Sequence, residues 1–222
     1  MIVAIDGPAA TGKSTSARHV AQRLGFTYLD TGAMYRCVTL DVLRHNIDLS
    51  NTTVLEQLLS NLKIEFGKDS ADSVVFLNGE DVSKEIRRDD VTNNVSVVSA
   101  HALVRKSLVR IQRQITANQN CVLEGRDIGT IVFPDADVKF FLVADDRVRA
   151  KRRQLELDAL GEKKSIDALI NDIRKRDKLD SERDHSPLKK ANDAIELDTT
   201  QLTFDEQVDF IVNKVKSIIT GN

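Results

Sequence analysis

The chain has 222 residues, enough for one substantial domain with room for a small insertion. Hydrophobic residues make up 41% of it and charged residues 30%, which is ordinary for a water-soluble globular protein. The formal net charge of −2 gives no basic field of the kind that marks a nucleic-acid binder, and no apolar run approaches membrane-spanning length. Any binding of anionic groups must therefore depend on local geometry.

The amino-terminal residues and the cysteines bear on where the protein resides. The apolar run at 2–5 is too short for a signal peptide, so we expect a cytoplasmic protein. Cys37 and Cys121 are far apart and lack metal-ligand spacing, and we predict that both are buried, reduced thiols.

Strand and helix patterns alternate along the chain, which favours a parallel sheet covered by helices. The run at 2–5 is β-branched and apolar, as is typical of a strand buried on both faces. Apolar residues then recur at helical spacing from Ala17 to Leu24, and Gly25 stands where a C-terminal cap belongs. Further strands are predicted at 26–29, 121–123, 138–143 and 194–197. Further helices are predicted at about 33–45, 54–62, 104–115, 146–183 and 205–219.

The segment 63–82 has a different pattern from the rest of the chain. Ile64 and Phe66 alternate with polar residues, the stretch at 74–77 is rich in strand-forming residues, and Asn78-Gly79 is a strong hairpin turn. We therefore predict a small antiparallel β insertion here, separate from the main sheet.

Residues 7–14 match the phosphate-loop pattern G-x-x-x-x-G-K-[ST] in full, between a predicted strand and a predicted helix. Its glycines let the backbone wrap closely around a polyphosphate, with N–H groups and the helix N-terminus directed at the anion. Lys13 is expected to bridge the β- and γ-phosphates of a nucleoside triphosphate, and the Ser14 hydroxyl to bind Mg²⁺. The predicted nucleotide-binding residues are Gly7, Pro8, Ala9, Ala10, Thr11, Gly12, Lys13, Ser14 and Thr15.

Kinases, GTPases, helicases and transporters all share this loop, so the motif alone does not decide among them. The sequence contains no Asn-Lys-x-Asp guanine-binding motif, which argues against a GTPase-like switch.

Two polar segments follow other predicted strands, DTGAMYR at 30–36 and EGRDIGT at 124–130. Ligands of open α/β sheets bind at the carboxyl ends of the strands, so we expect Arg36 and Arg126 to lie beside the phosphate loop. Their planar guanidinium groups suit capture of a second phosphate. Arg126 could instead pair with Asp127 or another carboxylate.

The charged stretch near the end of the chain continues an apolar helical stripe. Ile166, Leu169, Ile170 and Ile173 form the stripe. The same face, continued at helical steps, carries Arg176, Asp180 and Arg183. These charges are expected to face inward, although Arg176 and Asp180 could also form a simple i,i+4 ion pair.

The phosphate loop, the two polar segments and VFPDADVKFFL at 132–142 together resemble the bacterial cytidylate kinase family over nearly the whole chain. The resemblance implies an α/β P-loop NTPase fold in three layers, with a central parallel five-stranded sheet flanked by helices. It also implies a single kinase domain over 1–222, an inserted monophosphate-binding lobe at 63–90 and a helical lid at 147–185.

The resemblance further implies transfer of the γ-phosphoryl group of Mg-ATP to CMP or dCMP, with Lys13 and Arg126 as catalytic residues. It assigns acceptor binding to Thr31, Tyr35, Arg36, Ser96, Arg105, Arg126, Asp127, Arg176, Asp180 and Arg183. An aspartate such as Asp127 can accept a hydrogen bond from the cytosine N4 amine, which uracil lacks, so UMP is expected to be a poorer substrate.

Several alternatives stay open at this point. Leu179 stands where some family members carry a further arginine, and spacing does not tell which of Arg147, Arg149, Lys151, Arg152 and Arg153 reach a nucleotide. A related P-loop small-molecule kinase, UMP-preferring or shikimate-type, is the nearest rival. A shikimate-type acceptor would leave Asp127 and Asp180 without an obvious role. We expect a monomer that binds small-molecule substrates, without nucleic-acid or membrane partners.

Overall fold

The computed structural model describes residues 1–67, 74–159 and 161–221, which form two compact units. The first unit consists of Met1–Leu29 and the chain from Asn118 onward, and the second of Asp30–Ala117. Residues 68–73 of the predicted β insertion and residue 160 of the predicted lid lie outside the described residues.

Helices or helical turns separate the strands of the main sheet, as the sequence predicts, whereas three short strands of the second unit follow one another directly. In chain order the strands are β1 (Ile2–Asp6), β2 (Thr27–Asp30), β3 (Ile64–Phe66), β4 (Val75–Leu77), β5 (Glu80–Asp81), β6 (Cys121–Gly125), β7 (Val138–Val143) and β8 (Ile195–Asp198). The α-helices are α1 (Lys13–Leu24), α2 (Thr31–Arg44), α3 (Thr52–Ser60), α4 (Asp89–Ala100), α5 (Ala102–Ile115), α6 (Asp146–Ala159), α7 (Ile166–Ser181) and α8 (Phe204–Ile219). A 3₁₀ turn spans Glu85–Arg87 and a π-helical turn spans Ile128–Val132.

The main sheet has five strands in the order β2-β6-β1-β7-β8, and it is parallel. β1 lies at its centre, where Val3 and Ile5 are fully buried between the helices that cover the two faces. Apolar side chains of α1 and α8, such as Val20 and Ile211, pack on the same core. The predicted parallel five-stranded sheet flanked by helices is therefore confirmed, and its strands bring their carboxyl ends to one edge.

The second unit contains the predicted antiparallel β sheet, with the strand order β3-β4-β5. Asn78 and Gly79 have φ values of 52° and 88°, as a tight turn between two antiparallel strands requires. The predicted hairpin is confirmed.

One helix of the second unit has no counterpart in the sequence prediction. α4 carries four valines and a threonine in twelve residues, and β-branched side chains disfavour helices intrinsically. Val91, Val95 and Val98 recur at steps of four and three and are buried, so packing of this face stabilises the helix.

The charged stretch predicted as one helix at 146–183 is two helices, so that prediction is wrong in its extent. α6 ends at Ala159, Gly161 has a φ of 79°, and the Ser165 side chain caps the start of α7. α6 and α7 pack together through Ala150, Leu157, Leu169 and Ile173. No helix in the described part of the chain is long and apolar enough to cross a membrane.

Candidate active site

The phosphate loop begins where β1 passes closest to its neighbour β7. Gly7 has a φ of 146°, and a Cβ atom there would lie 2.2 Å from the carbonyl oxygen of Leu142. Gly12, with a φ of 89°, ends the loop directly before α1. Because a side chain at position 7 would collide with backbone, the loop can follow this course only with glycine there.

Lys13, the first residue of α1, places its ammonium group under the loop. The side chain is 4% exposed, and Nζ donates to the carbonyl oxygen of Pro8 and, at 3.3 Å, to the Thr11 hydroxyl. Burial and, after it, repulsion from the Arg126 guanidinium lower the pKa of Lys13 to about 7, and attraction to the Glu124 carboxylate offsets only part of that shift. Two cations with mutual repulsion in a buried position favour binding of an anion between them.

Ser14 and Glu124 bring two hard oxygen ligands together beside Lys13. The Ser14 hydroxyl donates to Glu124 Oε1 at 2.7 Å, although the two residues are 110 positions apart in the chain. Oxygen donors of this kind suit Mg²⁺, which binds proteins through one or two side chains and takes its other ligands from phosphates and water. Among the residues that the structure describes, no group of three or more His, Cys, Asp or Glu side chains could hold a metal by itself.

The helices α6 and α7 contact the loop backbone through an ion pair that the sequence analysis did not identify. Asp177 Oδ1 accepts a hydrogen bond from the Ala9 N–H at 2.9 Å, and Arg149 Nη1 donates to the Ala9 carbonyl oxygen at 3.1 Å. Arg149 and Asp177 also pair with each other. A four-residue step from Ile173 along the apolar stripe reaches Asp177, and that spacing was the available signal.

Arg152 is the second arginine of the charged stretch that reaches the loop. Its Nη1 donates to the carbonyl oxygen of Thr11 at 3.1 Å and to the Thr199 hydroxyl at 2.9 Å. Burial lowers the pKa of the Arg152 guanidinium. Arg147 and Lys151, by contrast, are exposed. The structure thus distinguishes residues that spacing alone left equivalent.

Asp180 is the counter-ion of two arginines in this region. Its side chain is 2% exposed, and Oδ2 accepts from Arg126 Nε at 2.9 Å while Oδ1 accepts from Arg183. Burial acts to raise the pKa of Asp180, but attraction to Arg126, Arg183 and Arg176 outweighs it and lowers the pKa. The prediction that charges replace hydrophobes on the inward face of α7 is confirmed at Asp180. Arg126 does pair with a carboxylate, the alternative weighed from the sequence, and the partner is Asp180 rather than Asp127.

Comparison with known proteins bears directly on this arrangement. A sequence model of the family described as cytidylate kinase matches residues 3–217. The chain belongs to the cytidylate kinase family.

Relatives of the cytidylate kinase family resemble the chain over nearly its full length. Proteins named cytidylate kinase from Bacillus cereus and Bacillus thuringiensis are each 49% identical over 219 residues, which is 99% of this chain and 96% of the relative. A crystal structure of an uncharacterized protein from Eubacterium ventriosum has a similar fold, with a TM-score of 0.53 and 15% identity over 98% of both chains.

The acceptor-binding residues that were predicted in the segment DTGAMYR, in α4 and in α5 belong to the second unit. Arg36 Nη1 donates to the Ile86 carbonyl oxygen at 3.1 Å and to the Thr92 hydroxyl at 2.8 Å. The Arg105 guanidinium lies 5.1 Å from the centre of the Tyr35 ring. Thr31 is the buried first residue of α2.

Ser96 lies in the second half of α4 and is half-buried. Its carbonyl oxygen accepts from the Ser99 hydroxyl at 3.3 Å. A residue in this position does not cap the start of the helix.

Proposed function

We propose that the chain transfers the γ-phosphoryl group of ATP to CMP or dCMP, giving ADP and CDP or dCDP. The observation that carries the proposal is a buried Lys13 that lies close enough to Arg126 for their positive charges to repel each other, at a phosphate loop of a chain in the cytidylate kinase family. Relatives at 49% identity over nearly the full length bear the name cytidylate kinase, which supports the same acceptor here.

The chemistry needs no strong general base, because the acceptor phosphate is already largely ionised near neutral pH. Acceleration comes instead from alignment and from cations that stabilise charge on the transferring phosphoryl group, the roles proposed for Lys13 and Arg126. Ser14 and Glu124 would hold Mg²⁺, which supplies further neutralisation of phosphate charge when bound. Arg149 and Asp177 keep the Ala9 peptide of the loop in place.

The residues proposed to bind the acceptor are Thr31, Tyr35, Arg36, Ser96, Arg105, Arg126, Asp127, Arg176, Asp180 and Arg183. Asp127 would accept from the cytosine amine, and arginines would donate to its ring acceptors. We also propose that 63–90 acts as the monophosphate lobe and 147–185 as the lid of a single, monomeric, cytoplasmic kinase.

A coupled assay of ADP formation tests the proposal, with ATP and Mg²⁺ and with CMP, dCMP, UMP, AMP and shikimate as acceptors. CMP and dCMP are expected to give the highest kcat/KM. Lys13→Ala is expected to lower kcat by about two orders of magnitude or more, because it removes a cation at the transferring group. Lys214→Ala, at an exposed position of α8 outside the proposed lid, is the matched control and should retain activity. A preference for UMP or shikimate, or ATP hydrolysis that no acceptor accelerates, would contradict the proposal.

A further inference from the structure

Asp6, the last residue of β1, accepts two hydrogen bonds that have no role in the proposed reaction as described above. Its Oδ1 accepts from the N–H of Ile128 at 2.8 Å, and its Oδ2 accepts from the N–H of Gly129 at 2.7 Å. The side chain is 4% exposed. Both carboxylate oxygens are therefore committed to the backbone of a segment more than 120 positions away in the chain.

The segment that Asp6 holds begins directly after two proposed substrate-binding residues. Ile128 opens the π-helical turn, and Arg126 and Asp127 immediately precede it. Asp127 has φ −145° and ψ 23°, a conformation that belongs to neither a regular strand nor a regular helix. Because the backbone is fixed one residue later, the directions of both preceding side chains depend on the carboxylate of Asp6.

Packing at Gly129 shows how closely the segment approaches Asp6. A Cβ atom at position 129 would lie 3.0 Å from Lys139 Cδ and 3.5 Å from Asp6 Oδ2. The first distance is shorter than an ordinary van der Waals contact. Glycine thus lets the turn lie against β7 and reach the carboxylate at the same time.

The raised pKa of Asp6 shows that its negative charge does not stabilise the folded state. Burial raises the pKa of Asp6 to about 6, and the nearby charge of Asp127 acts in the same direction. The two backbone hydrogen bonds and the charge of Lys13 oppose this shift without cancelling it. Asparagine would fill the same volume without a buried charge, but it offers only one oxygen to the two N–H groups. The two-acceptor geometry is the property that only aspartate provides here.

We propose that Asp6 is a positioning residue for the acceptor nucleotide, which fixes the backbone behind Arg126 and Asp127 so that both side chains are presented to CMP. The inference rests on the proposed function. The carboxyl end of β1 would then have two roles, because it precedes the phosphate loop and its last side chain also positions the acceptor-binding residues.

The test compares Asp6→Asn with Asp137→Asn. Asp137 Oδ2 accepts from the Ile2 N–H at 2.6 Å, so the control likewise converts a carboxylate that accepts a backbone hydrogen bond into an amide, but at an exposed position. For Asp6→Asn, the KM for CMP is expected to rise roughly 10- to 100-fold, as for a small misplacement of a binding group. The KM for ATP should change less than about twofold, and the thermal midpoint should not fall. The Asp137 control should leave both KM values unchanged.

A second variant and a spectrum separate positioning from stability. Gly129→Ala leaves Asp6 in place but adds a Cβ atom 3.0 Å from Lys139 Cδ. Because Lys139 Nζ is held by the Pro134 carbonyl oxygen and by Asp193, the turn is expected to shift, which should reproduce the selective rise in the KM for CMP. In NMR spectra without substrates, the amide resonances of Ile128 and Gly129 should move upfield in Asp6→Asn. These spectra test the contact even if the native chain fails to phosphorylate CMP, in which case only the proposed function is lost.

The proposal is overturned if the native chain uses CMP and Asp6→Asn leaves its KM unchanged. It is also overturned if the KM values for CMP and ATP rise together with a lower thermal midpoint, or if Asp6→Asn does not fold, since either result assigns the carboxylate to stability.

Discussion

Replacement of Asp180 by asparagine measures how much one buried negative charge contributes to the free energy of unfolding. The variant keeps the shape of the side chain but removes the counter-ion of Arg126 and Arg183. Breaking a buried ion pair from one side costs about 3–5 kcal/mol, because the remaining charge is left uncompensated. Arg126 retains 18% exposure of its side chain and can recover some hydration, so the lower end of the range applies.

A loss of about 3 kcal/mol corresponds to a fall of roughly 6–12 °C in Tm for a chain of this length. Calorimetry near pH 7 measures it, and Asp184→Asn, an exposed aspartate four residues later, is the matched control. The pKa of Asp180 is lowered in the folded state, so its stabilisation is present above the unfolded value of 3.8 and is lost as the pH falls through the lower folded value. The difference in stability between native and variant chains should therefore shrink in acid.

Inorganic phosphate provides a second readout of the same change. Guanidinium groups without their carboxylate should bind anions more readily, so phosphate should raise the Tm of Asp180→Asn more than that of the native chain. A Tm loss below about 1 °C, or an equal loss in the Asp184 control, would refute the reasoning, which depends on burial of the charge.

Four further outcomes are expected. Asp127→Ala should lower the ratio of kcat/KM for CMP to that for UMP by about tenfold or more, because it removes the residue proposed to distinguish an amine from a carbonyl; an unchanged ratio would contradict that proposed role. Gly7→Ala should destabilise the fold by about 3 kcal/mol or more in urea unfolding, since its Cβ would meet the backbone of β7 at 2.2 Å. Burial raises the thiol pKa to about 12 at Cys37 and about 11 at Cys121, so neither should react with a disulfide reagent near pH 8 until the chain is unfolded. The free energy of unfolding of Asp6→Asn minus that of the native chain should increase by up to about 3 kcal/mol as the pH rises from about 4 to 7. The reason is that the folded pKa of about 6 exceeds the unfolded 3.8, so native stability falls across that window; a flat difference would contradict it.

Elements with a strong local signal were predictable from the sequence. β1 and the phosphate loop follow from a β-branched run and from glycines at fixed spacing, and the Asn78-Gly79 turn from the conformations those residues adopt readily. Buried, reduced cysteines were also predicted, and Cys37 and Cys121 are both buried and free. For the loop and the turn, neighbouring residues determine the outcome, so no distant contact had to be known.

Features that depend on distant contacts were not predictable in the same way. α4 was missed because its valines disfavour a helix until a partner surface covers them. Asp6 and Asp177 were missed because their backbone partners lie 122 and 168 positions away. Asp6 has no spacing pattern that distinguishes a buried acceptor from a solvated charge, whereas for Asp177 the helical step from Ile173 was the available signal.

Hydrogen bonds to both the N–H and the carbonyl oxygen of Ala9 link the phosphate loop to α6 and α7. The N–H is held by Asp177 and the carbonyl oxygen by Arg149, so a shift of either helix pulls on the loop backbone itself. Substitutions on the outer surfaces of these helices can thus alter nucleotide affinity without touching a nucleotide. The preference for one nucleotide donor over another can therefore be engineered through substitutions on α6 and α7, at positions away from the buried residues around Lys13.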